Sequence, residues 1–226
     1  MPPTPYRGIV DAILSGDSLI VRFLPPCKIA IQIISLEHLV APKIGLPDGS
    51  IQDEPYGFDS WNFLRKMCIG RAVFVSPNFR QTKNTRYHPA FGDLPISFTR
   101  VSLSDEKLNN PDIGTLAVQA GWVKLRQCNS SNQDPYVTTL KQYEEQAKQA
   151  HLGIWSTTPG LVRHLPTKYT DEDIFSKREF RAIVKGVKYA TTFSFFLLPD
   201  HHQIQLQLAG CKHPGQSNDP SKNYAN

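Results

Sequence analysis

Apolar residues crowd into three short stretches near the start of the chain, 9–14, 18–23 and 28–36. Each is rich in β-branched residues, and Ser15-Gly16-Asp17 and Pro25-Pro26 separate them. That pattern predicts a three-stranded meander. Residues 40–53 hold prolines and glycines and read as a loop. Asp53-Glu54-Pro55 then opens a helix, with acids and proline at its start. Phe58, Trp61, Phe63, Leu64 and Met67 recur at helical spacing, and Gly70 ends the run. Residues 71–76 predict a fourth strand, 79–94 a polar basic loop and 96–103 a fifth strand. Pro111-Asp112 starts a second helix that Gly121 stops, and Trp122-Val123-Lys124-Leu125 is a short extended piece. Asp134-Pro135 starts a third helix, carried by Val137, Leu140, Tyr143, Ala147, Ala150 and Leu152. Residues 157–172 are rich in proline and threonine and predict a linker.

After that linker the pattern returns. Arg7-Gly8-Ile9-Val10-Asp11-Ala12-Ile13 matches Arg181-Ala182-Ile183-Val184-Lys185-Gly186-Val187, 174 residues further on. After a one-residue slip, Ala30-Ile31-Gln32-Ile33 matches Gln205-Leu206-Gln207-Leu208. Gln203, Gln205 and Gln207 alternate with Ile204, Leu206 and Leu208, as on a half-buried strand. An internal repeat means copies of one module. The expected organisation is a first domain over 1–158, a linker over 159–176 and an incomplete second copy over 177–226. Phe193, Phe195, Leu197, Ile204, Leu206 and Leu208 would share one face of that second meander.

Five strands, with one helix after the third and two at the end, predict a mainly β fold with helices. At this strand count an OB-type barrel is the natural closure, and such barrels bind oligonucleotides on a strand face and adjoining loops.

Charge alters the picture only modestly. The 226 residues carry a formal net charge of +5 and a pI near 9.0, compatible with a polyanionic partner. Cys27, Cys68, Cys128 and Cys211 are far apart, with neither a C-x-x-C pair nor zinc-ligand spacing, and read as reduced thiols. No run reaches the length of a membrane span, and the start lacks the apolar core of a signal peptide. The expected location is the cytoplasm, with the nucleus as a second site, and no membrane partner.

Four segments then carry a resemblance: SGDSLIVR, DEPYGFDSWNFLRKMCIG, LAVQAGWVKLR and EEQAKQAHLGIW, in that order. Together they resemble the staphylococcal-nuclease-like domain, and most closely the first such domain of the Tudor staphylococcal nuclease family. KREFRAIVKGVKYATTFSFFLLPDHHQIQLQLAGCKHP resembles the start of that family's second domain. The resemblance implies a five-stranded OB-type barrel of the staphylococcal-nuclease type with three helices, followed by a truncated second copy. No Tudor segment is present. It also implies a setting: RNA-silencing complexes, RNA decay and transcriptional co-activation, with RNA and ribonucleoprotein components as partners.

The bacterial prototype of that fold cleaves nucleic acid with one calcium ion, a carboxylate base and two arginines. A hard cation needs carboxylate oxygens, the attacking water needs a base, and arginines hold the extra charge on phosphorus. The first calcium position falls on Asp17. Matching Leu36-Glu37-His38-Leu39 puts Ile33 at the arginine, His38 at the second aspartate and Ala41 at the glutamate. A one-residue shift brings Glu37 to the aspartate and Gln32 to the arginine, still without a base. The second arginine falls on Arg86 before Tyr87, or on Phe91-Gly92, where Asp93 replaces it. The base-stacking tyrosines fall near Cys128 and Ser130, and in the second copy the calcium aspartate falls near Ala190. The resemblance thus brings calcium to Asp17 and Glu37 and no other cofactor, and it leaves no residue assigned to catalysis. Asp17 also reads as a turn residue of a Ser-Gly-Asp-Ser hairpin. Glu37 and His38 offer a cryptic acid–base pair, against the commoner reading of exposed strand-end residues. Glu144 and Glu145 read as a solvated ion-pair face with Lys141 and Lys148, and His201-His202 as a hairpin tip.

Binding has more to stand on. Arg80, Lys83 and Arg86 are interleaved with Phe79, Tyr87 and Phe91, a mixture suited to phosphate contact and base stacking. Arg181, Lys185 and Lys188, with Lys177 and Arg178, form a second basic run. The same residues would also serve as a solvated loop and a charged strand edge that discourages aggregation. Three functions therefore compete: an RNA-binding module of a silencing or decay scaffold that is catalytically weak or inert, a calcium-dependent RNA endonuclease with a degenerate site, and a protein-interaction module. Salt-dependent RNA binding separates the first two from the third, and calcium-dependent cleavage separates the second from the first.

Overall fold

The computed structural model describes residues 4–46, 49–77, 80–88, 91–105, 109–126, 134–163, 179–188 and 191–211. The chain divides into two compact units, Met1–Tyr87 with Asp93–Pro166, and His88–Gly92 with Thr167–Asn226.

In the first unit the predicted meander forms as β1 (Tyr6–Ser15), β2 (Ser18–Phe23) and β3 (Ile31–Leu36). Gly16 and Asp17 make the turn between β1 and β2, and a Cβ at Gly16 would collide with Ser60 Oγ. A short β4 (Leu39–Val40) follows. Helix α1 (Gly57–Cys68) buries Phe58, Trp61, Leu64 and Cys68, and Trp61 Nε1 donates to Ile13 O at 3.0 Å. Burial pushes the Cys68 thiol up to about 12, so it stays a neutral apolar filler. The helix begins four residues later than its acids predict. Asp53 and Glu54 are engaged elsewhere, Glu54 accepting from Lys43 N at 3.0 Å, and Tyr56 turns the chain at φ 65° before the first helical residue.

Next come β5 (Ala72–Val75), β6 (Arg80–His88), β7 (Gly92–Thr99) and β8 (Val101–Leu103). The predicted loop over 79–94 is therefore largely a hairpin. Its first strand shows no apolar alternation because neither of its faces is buried, so polar residues suffice once the backbone is paired. The second and third helices form as α2 (Ile113–Gln119) and α3 (Pro135–Gln149), capped by Asp112 and Asp134. Between them β9 (Lys124–Leu125) pairs with β4.

The sheet order is β6-β7-β3-β2-β1-β5-β8. The expected closed five-stranded barrel is not an unbroken ring of paired strands; the ladder is open and has seven members. Its curl is nevertheless carried by one stretch of chain. β7 pairs with β3 and β8 pairs with β5, with only Arg100 between them. One side of the meander is buried by Val10, Ile13, Leu19, Val21 and Ile34, all at most 4% exposed. Ile20, Ile33 and Leu94 pack together, joined by Ala12, Leu14, Ile31 and Ile96.

Residues just past the expected domain end at 158 keep contact with the first unit. Arg163 lies in the predicted linker but is 5% exposed. Its Nε and Nη2 reach the two carboxylate oxygens of Asp53 at 2.6 Å each, and its backbone N reaches Oδ2 at 3.0 Å. Tyr56 OH donates to Thr158 O, so residues 158–163 are strapped to the start of α1. Burial alone would raise the Asp53 pKa. The hydrogen bonds from Arg163 and Gly45 and the guanidinium charge outweigh it and hold the carboxyl below its ordinary range. Leu152, one of the periodic apolar positions read into α3, is 42% exposed, and Trp155 is half-buried. The turn Gly153–Trp155 instead docks by backbone, Ile154 N to Gly121 O at 2.8 Å.

The second unit is a meander of β10 (Ala182–Lys188), β11 (Thr192–Leu197) and β12 (His202–Gln207). Its register repeats the first. The β1–β2 ladder is interrupted between Val10 and Ala12, and the β10–β11 ladder between Val184 and Gly186, the same position of the repeat. The third strand departs from the one-residue slip. Ile34 faces Leu19, and Leu206 faces Phe193, so Ile34 corresponds to Leu206 and Gln32 to Ile204. The sequence match placed Ile31 on Leu206, which puts the strand on the wrong face, because side chains alternate with period two.

Candidate nucleic-acid interface

β6 lies at the edge of the seven-stranded sheet, and its alternation sorts the basic cluster into two rows. Arg80 and Arg86 fall on one face, Lys83 and Tyr87 on the other. All four are exposed, Tyr87 by 65%. Phe79 lies outside the described residues. At the hairpin end, the His88 and Phe91 rings stack at 5.0 Å, and Phe91 is 36% exposed. The strand is thus a cationic edge that also carries the exposed Tyr87 ring. Thr82 Oγ1 fastens it by donating to Ile96 O at 3.0 Å.

The second basic run is less available than its sequence implies. Arg181 is exposed. Lys185 Nζ donates to Gln203 Oε1 at 2.7 Å and sits 5.2 Å from the centre of the Phe196 ring, so its charge is already engaged. Lys188 ends β10, and its side chain lies outside the described residues, as do Lys177 and Arg178.

The calcium positions do not assemble. Asp17 is 8% exposed, and its Oδ1 accepts from Ser15 Oγ at 2.5 Å and Ser18 Oγ at 3.2 Å, the bonding of a turn aspartate. Its carbonyl accepts from Leu36 N, so the end of β3 is adjacent, as the prototype geometry requires. There the chain presents Glu37, 3.6 Å from His38 Nε2. Ile33 and Ala41, at the matched arginine and glutamate positions, are 2% and 7% exposed. In the shifted register Gln32 is fully buried and donates to Ser97 Oγ across the sheet, so it cannot meet a phosphate. No group of three His, Cys, Asp or Glu side chains suited to a metal occurs among the described residues. Calcium prefers six to eight oxygens, and this donor set does not fit it.

Two cations that the sequence pattern did not single out lie beside this end of the sheet. Arg126 stacks over Phe98 at 5.3 Å, and its backbone N donates to His38 O at 2.7 Å. Arg100, between β7 and β8, lies 4.9 Å from the centre of the Tyr136 ring. Each stands alone in the sequence, and only the fold brings them near residues far along the chain. Glu144 is held within the fold. It accepts from Leu125 N at 2.8 Å and pairs with Lys148 at 2.9 Å, as the ion-pair reading expected. Cys27, Cys68 and Cys211 are free thiols, and Cys128 lies outside the described residues.

The family model described as staphylococcal nuclease homologue matches residues 34–157, from β3 through the turn after α3. "Ribonuclease TUDOR 2" of Arabidopsis thaliana is 31% identical over 97% of this chain and 23% of its own length. "Ribonuclease TUDOR 1" of the same plant is 31% identical over 92% of this chain and 21% of its own. "Staphylococcal nuclease domain-containing protein 1" of Drosophila melanogaster is 29% identical over 95% of this chain and 23% of its own. The chain belongs to the staphylococcal nuclease homologues and, within them, to the Tudor staphylococcal nuclease family. It spans about a quarter of the length of the curated relatives it matches. It carries a staphylococcal-nuclease-like domain, and no helix among the described residues is long and apolar enough to cross a membrane.

Proposed function

We propose that the first unit binds RNA as a staphylococcal-nuclease-like module of an RNA-silencing, RNA-decay and transcriptional co-activator scaffold, and that it is catalytically weak or inert. The observation that carries the reading is the exposed edge strand β6, with Arg80, Lys83, Arg86 and Tyr87 all open to solvent. A cationic strand with aromatic surface matches phosphate and base-stacking contact. Its partners would be single-stranded or short double-stranded RNA and the proteins of a silencing complex, in the cytoplasm and also the nucleus. Inertness follows from burial of Ile33 and Ala41 where a phosphate-binding arginine and a base would stand.

Replacing Arg80, Lys83 and Arg86 together by Gln should weaken RNA binding and lower the slope of log affinity against log salt by about 2–3, one counterion for each lost phosphate contact. Unchanged affinity in the triple variant would remove β6 from the interface.

Two relatives named as ribonucleases favour a second reading, hydrolysis of RNA phosphodiesters; in this chain it would be calcium-dependent, at a degenerate site using Asp17 and Glu37. Incubation of labelled RNA with calcium and with chelator decides between them. Robust cleavage that needs calcium and is lost in Asp17→Ala would establish the second reading and end the first.

A further inference from the structure

A groove of about 620 Å³ lies away from β6's own side chains, lined by Phe74, Ser76, Arg100, Ser102, Asn110 and Tyr136 among others. Its size falls in the range of small-ligand sites, about 300–1,000 Å³. Three features give it a chemical character. Arg100 is exposed, and among the described residues its guanidinium makes no hydrogen bond or ion pair; its contact is the face of the Tyr136 ring. That stacking holds the cation in place while leaving its N–H groups available to an anion. Second, the groove's own carboxylate is occupied. Asp112 Oδ1 accepts from Thr115 N at 2.7 Å and from Tyr136 OH at 2.9 Å, so its charge answers the start of α2 and the phenol. Third, the remaining lining pairs apolar surface from Phe74 with the small polar groups of Ser76, Ser102 and Asn110.

An unsatisfied guanidinium beside an aromatic wall and a few hydroxyl and amide groups is the donor set for a phosphate joined to a planar base. We infer that this groove is a nucleotide subsite for single-stranded RNA, with the phosphate on Arg100 and the base against Phe74. The inference rests on the RNA-binding reading above and extends it. Ser76 lines the groove and Arg80 begins β6, and four residues of chain can span no more than about 14 Å. Both therefore lie within the reach of one short RNA segment, since modules of this kind cover roughly 4–16 nucleotides.

The test uses the whole chain and a 5′-phosphorylated oligouridine of about ten nucleotides carrying one 4-thiouridine, read by fluorescence anisotropy and by mass spectrometry of crosslinked peptides. Arg100→Gln should weaken binding about tenfold or more, because a charge-assisted hydrogen bond is lost, with Tm unchanged. Arg71→Gln removes the same charge from a cation already paired with Asp105 and should leave affinity within about twofold. Crosslinks should fall on the peptides containing Phe74 or Tyr136 and disappear in Arg100→Gln. Ser76→Asp, which places a carboxylate at the rim, should also weaken binding and provides the reading if Arg100→Gln fails to fold. Binding by wild type with equal affinity in Arg100→Gln, Ser76→Asp and Arg71→Gln would overturn the subsite while leaving RNA binding intact. No binding by wild type would overturn the RNA reading, and the subsite with it.

Discussion

The two meanders of this chain share a register and a bulge but not a fate. In the first, the repeat positions Val10, Ile13, Leu19 and Ile34 are at most 4% exposed. In the second, their counterparts Val184, Val187 and Leu206 are 47%, 48% and 51% exposed, and Phe193 is half-buried. What differs is the cover. α1 lies on the first meander and puts Trp61 Nε1 on the carbonyl of Ile13, while the described residues of the second unit contain strands alone. A meander therefore encodes its own strand pairing, since backbone bonds and turn chemistry are local. Burial of its apolar face depends on a separate element.

The bulge residue shows a second difference. In the first unit the bulged Asp11 meets Arg22 in a two-pronged ion pair at 2.8 and 3.0 Å. In the second, the bulged Lys185 stands over Phe196, the counterpart of Arg22, at 5.2 Å. The same cross-strand position is filled once by charge and once by a cation over a ring, so the geometry persists while its chemistry changes.

The strap of the first unit offers the strongest way to break the comparison. Asp53→Asn leaves the Arg163 guanidinium buried without its counter-charge and should cost about 3–5 kcal/mol. Because the folded Asp53 pKa lies below its ordinary 3.8, the carboxylate stabilises the fold above that value. The contribution is lost as pH falls through the lower, folded value. Thermal melts at stepped pH should therefore show wild type and Asp53→Asn well apart at neutral pH and converging in acid. Melting curves equally far apart at pH 2 would refute the ion pair as the source.

A paired substitution sharpens the contrast in cover. Ile34→Ala should cost about 2–5 kcal/mol by opening a buried cavity. Leu206→Ala, at the same place in the repeat, should stay within about 0.5–1 kcal/mol, because its side chain is already half in water. Urea unfolding of both variants checks this, and equal costs would show that the second face is covered after all.

The smallest effect is expected at the bulge. Double-mutant cycles on Asp11 with Arg22 should give a coupling smaller than either effect above, and it should fade in about 1 M salt, where exposed charges are screened. A coupling that survives such salt would mean that the pair is less exposed than its side chains indicate.

Much of the first unit was legible from local pattern. The first three strands, and α2 and α3 with their caps at Asp112 and Asp134, lie where periodicity and capping residues put them. Misreadings occurred where the decisive partner was distant. The acids at 53 and 54 look like a helix start, but Asp53 answers Arg163, 110 residues away. The polar run after residue 79 looks like a loop because an exposed edge strand needs no apolar face. The binding cluster on β6 was visible as composition, whereas its split into two rows required knowing that it is a strand. Arg100 carried no local signal, since its neighbours in space are Tyr136 and the groove.

By itself the sequence determined the periodicities, the turns, the repeat and the family. Each of these is written in residues close together or in motifs matched in order. Only the tertiary structure decided which strand sits at the edge, how one bent segment flanks the open sheet on both sides, and which cations lack an ion-pair partner among the described residues. Those outcomes depend on contacts between residues tens to a hundred positions apart. Such contacts are selected by packing and charge satisfaction over the whole unit, which no local window contains.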